Sequence, residues 1–501
     1  MDRTNGCQTT VGRAPRARRM SRRSFILSAA AAGAALPFRS AFGAVNRKPA
    51  LALIGRGKQG RDLLHQFLGQ DVVVRAVCDV DADRRADALK VVRDYYAAHP
   101  QLGIPLDSCR AFADFREVLA DASVDMVAIA TPDHWHAYMT VAALKAGKDV
   151  YCETPLTYSV AEAKAVLAAA KASDRIVQVG GQLRSGVEFR TAAMLCRNGA
   201  IGKVQCVDCT FGGPSRPHRD FLNPANAAAE GAPNPRVDFD LWLGGAPAAP
   251  SSDQLSPRGV HDFFPSFWRF DDNYANGACG DEGIHTLDIA QWGLDLDASG
   301  PVKVVKSEAP VPSDKALGGR RQSGVELHCA DGAVIRHNPP GRWGTVFYGT
   351  DGIVAVNRGA FALWTGKGGT PDASVRAAVE KGAPDGMSRV SLWYEGAAGA
   401  NKSLLDAVNK AVKAFKLKKA PVQLYKSLNH VADFVACCAA RKAPCSPAEV
   451  SARAAILAQL CNISYVHDAG FGWDPVDNAC GTGADVSWFA RPVYRNGWTV
   501  R

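Results

Sequence analysis

The stretch Gly55-Arg56-Gly57-Lys58-Gln59-Gly60 decides the fold. It follows a short apolar run at 49–54 (PALALI) and precedes a helical pattern carrying Leu63, Leu64, Phe67 and Leu68. The spacing G-x-G-x-x-G means little alone; placed between a strand and a helix it acquires a mechanism. Gly55 permits a tight turn, Gly57 admits a pyrophosphate close to the backbone, and Gly60 lets the helix lie on the sheet. The helix N-terminus at Lys58 and Gln59 then offers free N–H groups to phosphates. A second apolar run, 72–78 (VVVRAVC), ends at Asp79, 19 residues past Gly60. A carboxylate there accepts bonds from a ribose 2′-hydroxyl and repels a 2′-phosphate, which favours NAD over NADP. Arg56, Arg84 and Arg85 keep NADP open, and Asp79 also reads as a turn residue in Asp79-Val80-Asp81.

The alternation continues downstream. Helix signals at 115–119 and 137–146, and another behind the capping box Ser159-Val160-Ala161-Glu162, alternate with strand signals at 124–129 and 150–152. This predicts a parallel sheet with helices on both faces. Ligands bind at the carboxyl ends of such strands, where the loops Thr131–His136 and Glu153-Thr154-Pro155 emerge. Beyond Arg184 the pattern changes. Strand signals at 204–211, 302–306, 324–329, 333–336 and 345–348 lack crossover helices and predict a mixed or antiparallel sheet in an α+β domain. The expected division is a leader at 1–44, a dinucleotide-binding domain at 48–175 and a C-terminal domain for substrate and oligomerisation at 176–501.

The segment 280–292 (GDEGIHTLDIAQW) carries the chemistry. Asp281, His285 and Asp288 recur at helical spacing and share one face. An Asp one turn from a His orients the imidazole, which then removes a hydroxyl proton. Two other readings stay open: Asp281 as a simple N-cap with a solvated His285, and a zinc site built from the three.

Bulk properties set the context. The 501 residues exceed one ordinary core, and 47% hydrophobic with 22% charged residues is a soluble globular composition. Residues 1–44 hold eight arginines and one aspartate, so most of the net charge of +10 lies there; the remaining +3 makes no case for nucleic acid. Arg22-Arg23-Ser24-Phe25-Ile26-Leu27, the apolar stretch 28–36 and small residues at 41–44 read as a twin-arginine export signal, which implies a periplasmic or otherwise exported protein and a passage through that export machinery. No other segment is apolar over ~18 residues, so no transmembrane helix and no membrane partner are expected. Of the fourteen cysteines, Cys78, Cys152 and Cys461 sit in apolar runs, and folding in a reducing cytosol before export disfavours required disulfides. Cys206 and Cys209 have zinc-like spacing without a second pair, so no metal is expected.

Taken in order, GRGKQG, CDVDADR, ATPDHWHA, YCETPLT, QVGGQLRS, AIGKV, DLWLGG and GDEGIHTLDIAQWGL resemble the Gfo/Idh/MocA oxidoreductases, most closely their exported bacterial branch. The resemblance covers roughly 48–355 and 423–501; 356–422 carries no usable motif. It implies an N-terminal Rossmann domain, a C-terminal domain with a large open sheet, a homo-oligomer, a tightly held NAD or NADP, and a sugar, cyclitol or polyol substrate. Carried onto this chain, Gly55, Gly57, Lys58, Gln59, Gly60 and Asp79 match cofactor contacts. Thr131, Pro132, His136 and Glu153 match loops beside the nicotinamide and its ribose. Asp281 and His285 match the catalytic pair, with His285 as general base. In most relatives the 153–155 loop reads Glu-Lys-Pro, with the lysine between substrate and nicotinamide; here Thr154 takes that place. Its hydroxyl can donate or accept but carries no charge. Arg184 and Arg269 are the candidate replacements, and with Trp242 and Asp288 they form the expected substrate contacts. Glycoside cleavage through transient oxidation, and non-catalytic sugar binding, remain alternatives to net dehydrogenation.

Overall fold

The computed structural model describes residues 47–210, 235–246, 267–270, 273–310, 323–337, 344–365 and 402–489, with 498 and 500. The expected export signal and the 491–494 motif lie outside the described residues.

Six strands form the first sheet: β1 (Ala50–Ile54), β2 (Val73–Cys78), β3 (Arg110–Phe112), β4 (Met126–Ile129), β5 (Asp149–Cys152) and β6 (Val177–Val179). All pair in parallel, in the order β3-β2-β1-β4-β5-β6. Parallel strands covered on both faces read as unbroken apolar runs, and β1, β4 and β5 are buried at every position. The order reverses between β1 and β4, which opens a crevice at their carboxyl ends. Because β6 completes this sheet, the first half extends to Val179, slightly past the expected limit at 175. Ser159 caps the helix Val160–Lys171, its hydroxyl accepting from the Glu162 N–H at 3.3 Å as the capping box predicts, while the Glu162 carboxylate accepts from the Tyr158 N–H at 2.8 Å.

The second sheet has nine strands: β7 (Val204–Cys209), β8 (Pro301–Pro310), β9 (Ser323–Cys329), β10 (Val334–His337), β11 (Thr345–Gly349), β12 (Gly352–Asn357), β13 (Ala360–Thr365), β14 (Phe471–Asp474) and β15 (Ala479–Cys480). Their order is β13-β12-β11-β7-β10-β9-β8-β14-β15, with only β7 and β10 parallel. This is the mixed open sheet expected from the sequence, and β13 lies in the region that carried no usable motif. Cys206 and Cys209 are residues of β7. The helix Lys402–Ala414 buries Leu404, Val408 and Ala411 and leaves its lysine-rich side outward. The buried helix Ala448–His467 touches both the helix Val160–Lys171 of the first half and the helix Ile284–Gly293 of the second. It fixes how the two halves face each other. Among the described residues no helix is long and apolar enough to cross a membrane.

Candidate active site

The carboxyl ends of β1, β2, β4 and β5 open into one cavity of about 970 Å³. At the end of β1, Gly55 has φ +92°, and a Cβ there would lie 2.5 Å from the Ala130 carbonyl oxygen. A Cβ on Gly60 would lie 2.0 Å from the Gly55 carbonyl oxygen. Gly57 is the opposite case: nothing stands within 4 Å of where its Cβ would be, so a ligand can approach the backbone. The helix Lys58–Leu68 has no side-chain cap and no acid in its first turn, which leaves its N–H groups for an anion. Arg56 keeps its guanidinium on Asp87 at 2.6 Å, with Nε buried and unpartnered. At the end of β2, Asp79 lines the cavity beside Arg84. Its carboxylate accepts from the N–H of Arg56 (2.6 Å) and of Asp81 (2.9 Å), so it also holds the turn 79–81. An open glycine turn, an uncapped helix end and a carboxylate one strand away are the donor set a dinucleotide requires. A Gly60→Ala chain is expected to lose about tenfold or more in NAD affinity by calorimetry, because backbone must move to admit the methyl.

The loop after β4 departs from expectation. The helix begins at Asp133, not near 137, so Asp133, His134, Trp135 and His136 form its first turn. Pro132 in extended geometry precedes it. His136 Nδ1 and Nε2 face the carbonyl oxygens of Pro155 (2.7 Å) and Thr131 (2.8 Å), tying the β4 loop to the β5 loop. Two carbonyl acceptors favour the doubly protonated ring, but burial outweighs them and lowers its proton affinity. On the β5 loop, which contains a cis Thr154–Pro155 bond, Glu153 accepts from Gln59 Nε2 (3.0 Å) and Gln182 Nε2 (3.1 Å). Burial pushes its carboxyl up to about 7. Thr131, Pro132, His136, Glu153 and Thr154 all line the cavity.

The far wall comes from the second half. A π-helical turn, Cys279–Gly283, runs into the helix Ile284–Gly293. Such widened turns re-aim side chains and gather at functional sites. Asp281, Glu282 and His285 reach the cavity from it. Asp281 accepts from Arg269 Nε at 2.9 Å, and Arg269 lies over the Trp268 ring at 4.4 Å. Glu282 pairs with Arg358 at 2.8 Å. Burial first, then the charge of Arg358, depress the His285 pKa to about 4 against the opposing pull of Glu282 and Asp281. The imidazole is therefore neutral near pH 7, the form that accepts a proton. Asp133 also lines the cavity, and burial raises its carboxyl well above the usual range.

Two expected substrate contacts, Arg184 and Asp288, need correction. Arg184 is 2% exposed and does not line the cavity; its guanidinium is bound to Asp288 (2.7 Å) and Asp297 (2.7 Å) and lies over Trp292. Asp288 turns inward to that pair, so it does not share a cavity face with Asp281 and His285. Trp242 lines the cavity and packs at 5.0 Å on Tyr274. Arg269 also lines the cavity, and Arg269 and Arg358 are the cations that meet the acids of the catalytic wall, Asp281 and Glu282. Sequence reasoning missed Arg358, Glu282, Trp268 and Asp133. Asp133 stood within a quoted motif, whereas Arg358 sits on the β12–β13 turn with no local signal.

Family models match both halves. The oxidoreductase family's NAD-binding Rossmann fold matches residues 50–181, and its C-terminal alpha/beta domain matches 223–342. The chain belongs to the Gfo/Idh/MocA oxidoreductase family. Its first domain is an NAD-binding Rossmann fold. It is 33% identical over 153 residues to inositol 2-dehydrogenase of Rhodococcus jostii, a match spanning 30% of this chain and 41% of that one. It is 31% identical to a glycosyl hydrolase family 109 protein of Saccharopolyspora erythraea, over 39% of this chain and 46% of that one. The chain thus spans between 32% and 53% of the length of the curated relatives it matches. In fold it is similar to levoglucosan dehydrogenase in complex with NADH and levoglucosan, with TM-score 0.52, 17% identity, and coverage of 86% of this chain and 100% of that one.

Proposed function

We propose that this chain is an NAD-dependent oxidoreductase of a sugar, cyclitol or polyol hydroxyl, with His285 as general base. The observation that carries the reading is one shared cavity: the glycine turn and Asp79 line one part, His285 and Asp281 another. Bound in that cavity, NAD supplies the hydride acceptor. His285, neutral near pH 7, takes the proton of the reacting hydroxyl. Asp281 and Glu282 stabilise the imidazolium that results, while Arg269 and Arg358 fix those carboxylates. Thr154 offers the substrate a hydrogen bond where many relatives place a charge, so Arg269 and Arg358 supply the local positive field. The resemblance of the leader at 22–27 to a twin-arginine signal supports an exported enzyme that folds around its cofactor first.

Mass spectrometry of nucleotide carried through purification, followed by a screen of inositols, anhydrosugars and sugars for nicotinamide reduction, tests this reading. Glycoside breakdown without net nicotinamide reduction would instead favour transient oxidation, which the likeness to the glycosyl hydrolase relative supports. The pH profile gives a second check. Because the folded pKa of His285 is lowered, the base is lost only in acid: activity at saturating NAD stays level over about pH 6–8 and falls toward about 4. Glu153 titrates near 7, inside that window, and Glu153→Gln separates its contribution. An acid limb centred at or above the ordinary imidazole value would contradict the assignment of His285.

A further inference from the structure

We propose that residues 236–244 are a strap that closes the adenosine end of the cavity and slows release of the bound dinucleotide. The inference rests on the NAD-binding reading and adds a retention device to it. The segment belongs to the second half of the chain, after β7, yet it is fastened to the first half. Asp81 and Val237 form an isolated antiparallel bridge. The Ala82 N–H donates to the Arg236 carbonyl at 2.9 Å, and the Asp238 N–H donates to the Val80 carbonyl at 3.1 Å. Arg236 pairs with Asp83. At the other end, the Trp242 carbonyl meets His134 Nε2 at 3.0 Å and accepts from Trp135 Nε1 at 2.9 Å. Gly244 is pressed so closely on Trp135 that a Cβ would lie 2.2 Å from the indole. Between the two anchors Asp238 caps a short helix, Phe239–Leu243.

The position gives the function. Asp79, Val80 and Arg84 mark where a ribose and adenine would lie, at the end of β2. Leu241 and Trp242 line the cavity with them, on the strap side. The strap therefore spans this end from the β2 loop to the helix Asp133–Lys145. A nucleotide leaving by this end must first break the bridge to Asp81 and lift Leu241 and the Trp242 indole. The first anchor is largely backbone hydrogen bonds, the second is the Trp242 carbonyl held by the His134 and Trp135 side chains, and Trp242 is 4% exposed, so opening breaks several contacts together and limits the release rate.

Release of NADH from the full chain, followed by nicotinamide fluorescence during displacement by excess NAD, tests the strap. Leu241→Ala thins the cavity wall without touching either anchor and is expected to speed release on the order of tenfold. Asp81→Cys with Val237→Cys places two thiols at the bridge. Oxidation is expected to slow release on the order of tenfold relative to the same protein reduced, with the parent chain under the same oxidant as control. Equal release from the oxidised and reduced pair overturns the strap, whatever Leu241→Ala does. A parent chain that binds no NADH overturns the NAD reading itself, and that result appears before any variant is made.

Discussion

Replacing His285 with alanine is expected to lower turnover by about 10²–10⁴ while NAD affinity stays nearly unchanged. The imidazole reaches the cavity from the helix Ile284–Gly293, a different segment from the glycine turn and Asp79, so its loss leaves the phosphate and ribose contacts intact. Set deep in the fold, the imidazole keeps its remaining exposure through the cavity it lines, which limits the packing cost of its removal. His136 is the other imidazole lining the cavity, but both its nitrogens are held by backbone carbonyls. It cannot take over without breaking the tie between two loops. Activity left in the alanine variant is expected to climb with pH, because a stronger external base replaces the missing one. A loss below tenfold at pH 7 would remove His285 from the chemistry.

Arg184→Leu is expected to cost about 3–5 kcal/mol of stability in denaturant unfolding, through the Asp288 carboxylate it abandons in the interior. The guanidinium satisfies Asp288 through Nε and Nη2 and Asp297 through both terminal nitrogens. Burial raises the Asp288 carboxyl above its ordinary value even in the pair, and Arg184 is what limits that rise. Changing both partners to apolar residues of similar volume is expected to recover much of the loss, since the pair's attraction largely offsets the cost of drying two charges. Unchanged stability with a raised substrate KM would instead restore Arg184 as a substrate contact.

What could be read from the sequence follows from the range of each interaction. The turn 55–60, the crossover pattern and the capping box depend on residues within one or two turns, so their chemistry is written locally. The catalytic segment 280–292 was visible for the same reason, although its π-helical turn was not. That turn alters the register between Asp281 and His285, and Asp288, three residues past His285 on the same α-helix, is drawn inward by Arg184, which helical spacing does not record. Arg184 and Asp288 are 104 residues apart in sequence, and no periodicity records that they meet. Arg358 reaches Glu282 from a hairpin of the second sheet 76 residues away. The helix start at Asp133 is legible in principle, with Pro132 before it and an acid in its first turn, although two histidines and a tryptophan in that turn give no apolar periodicity.

A crystal structure of the chain with NAD bound tests the central claim most directly. The expected result places the pyrophosphate over Gly57 and the nicotinamide ring facing the His285 imidazole, with room between them for one carbinol carbon and its hydroxyl. A dinucleotide lying elsewhere, or a ring separated from His285 by protein, would contradict it.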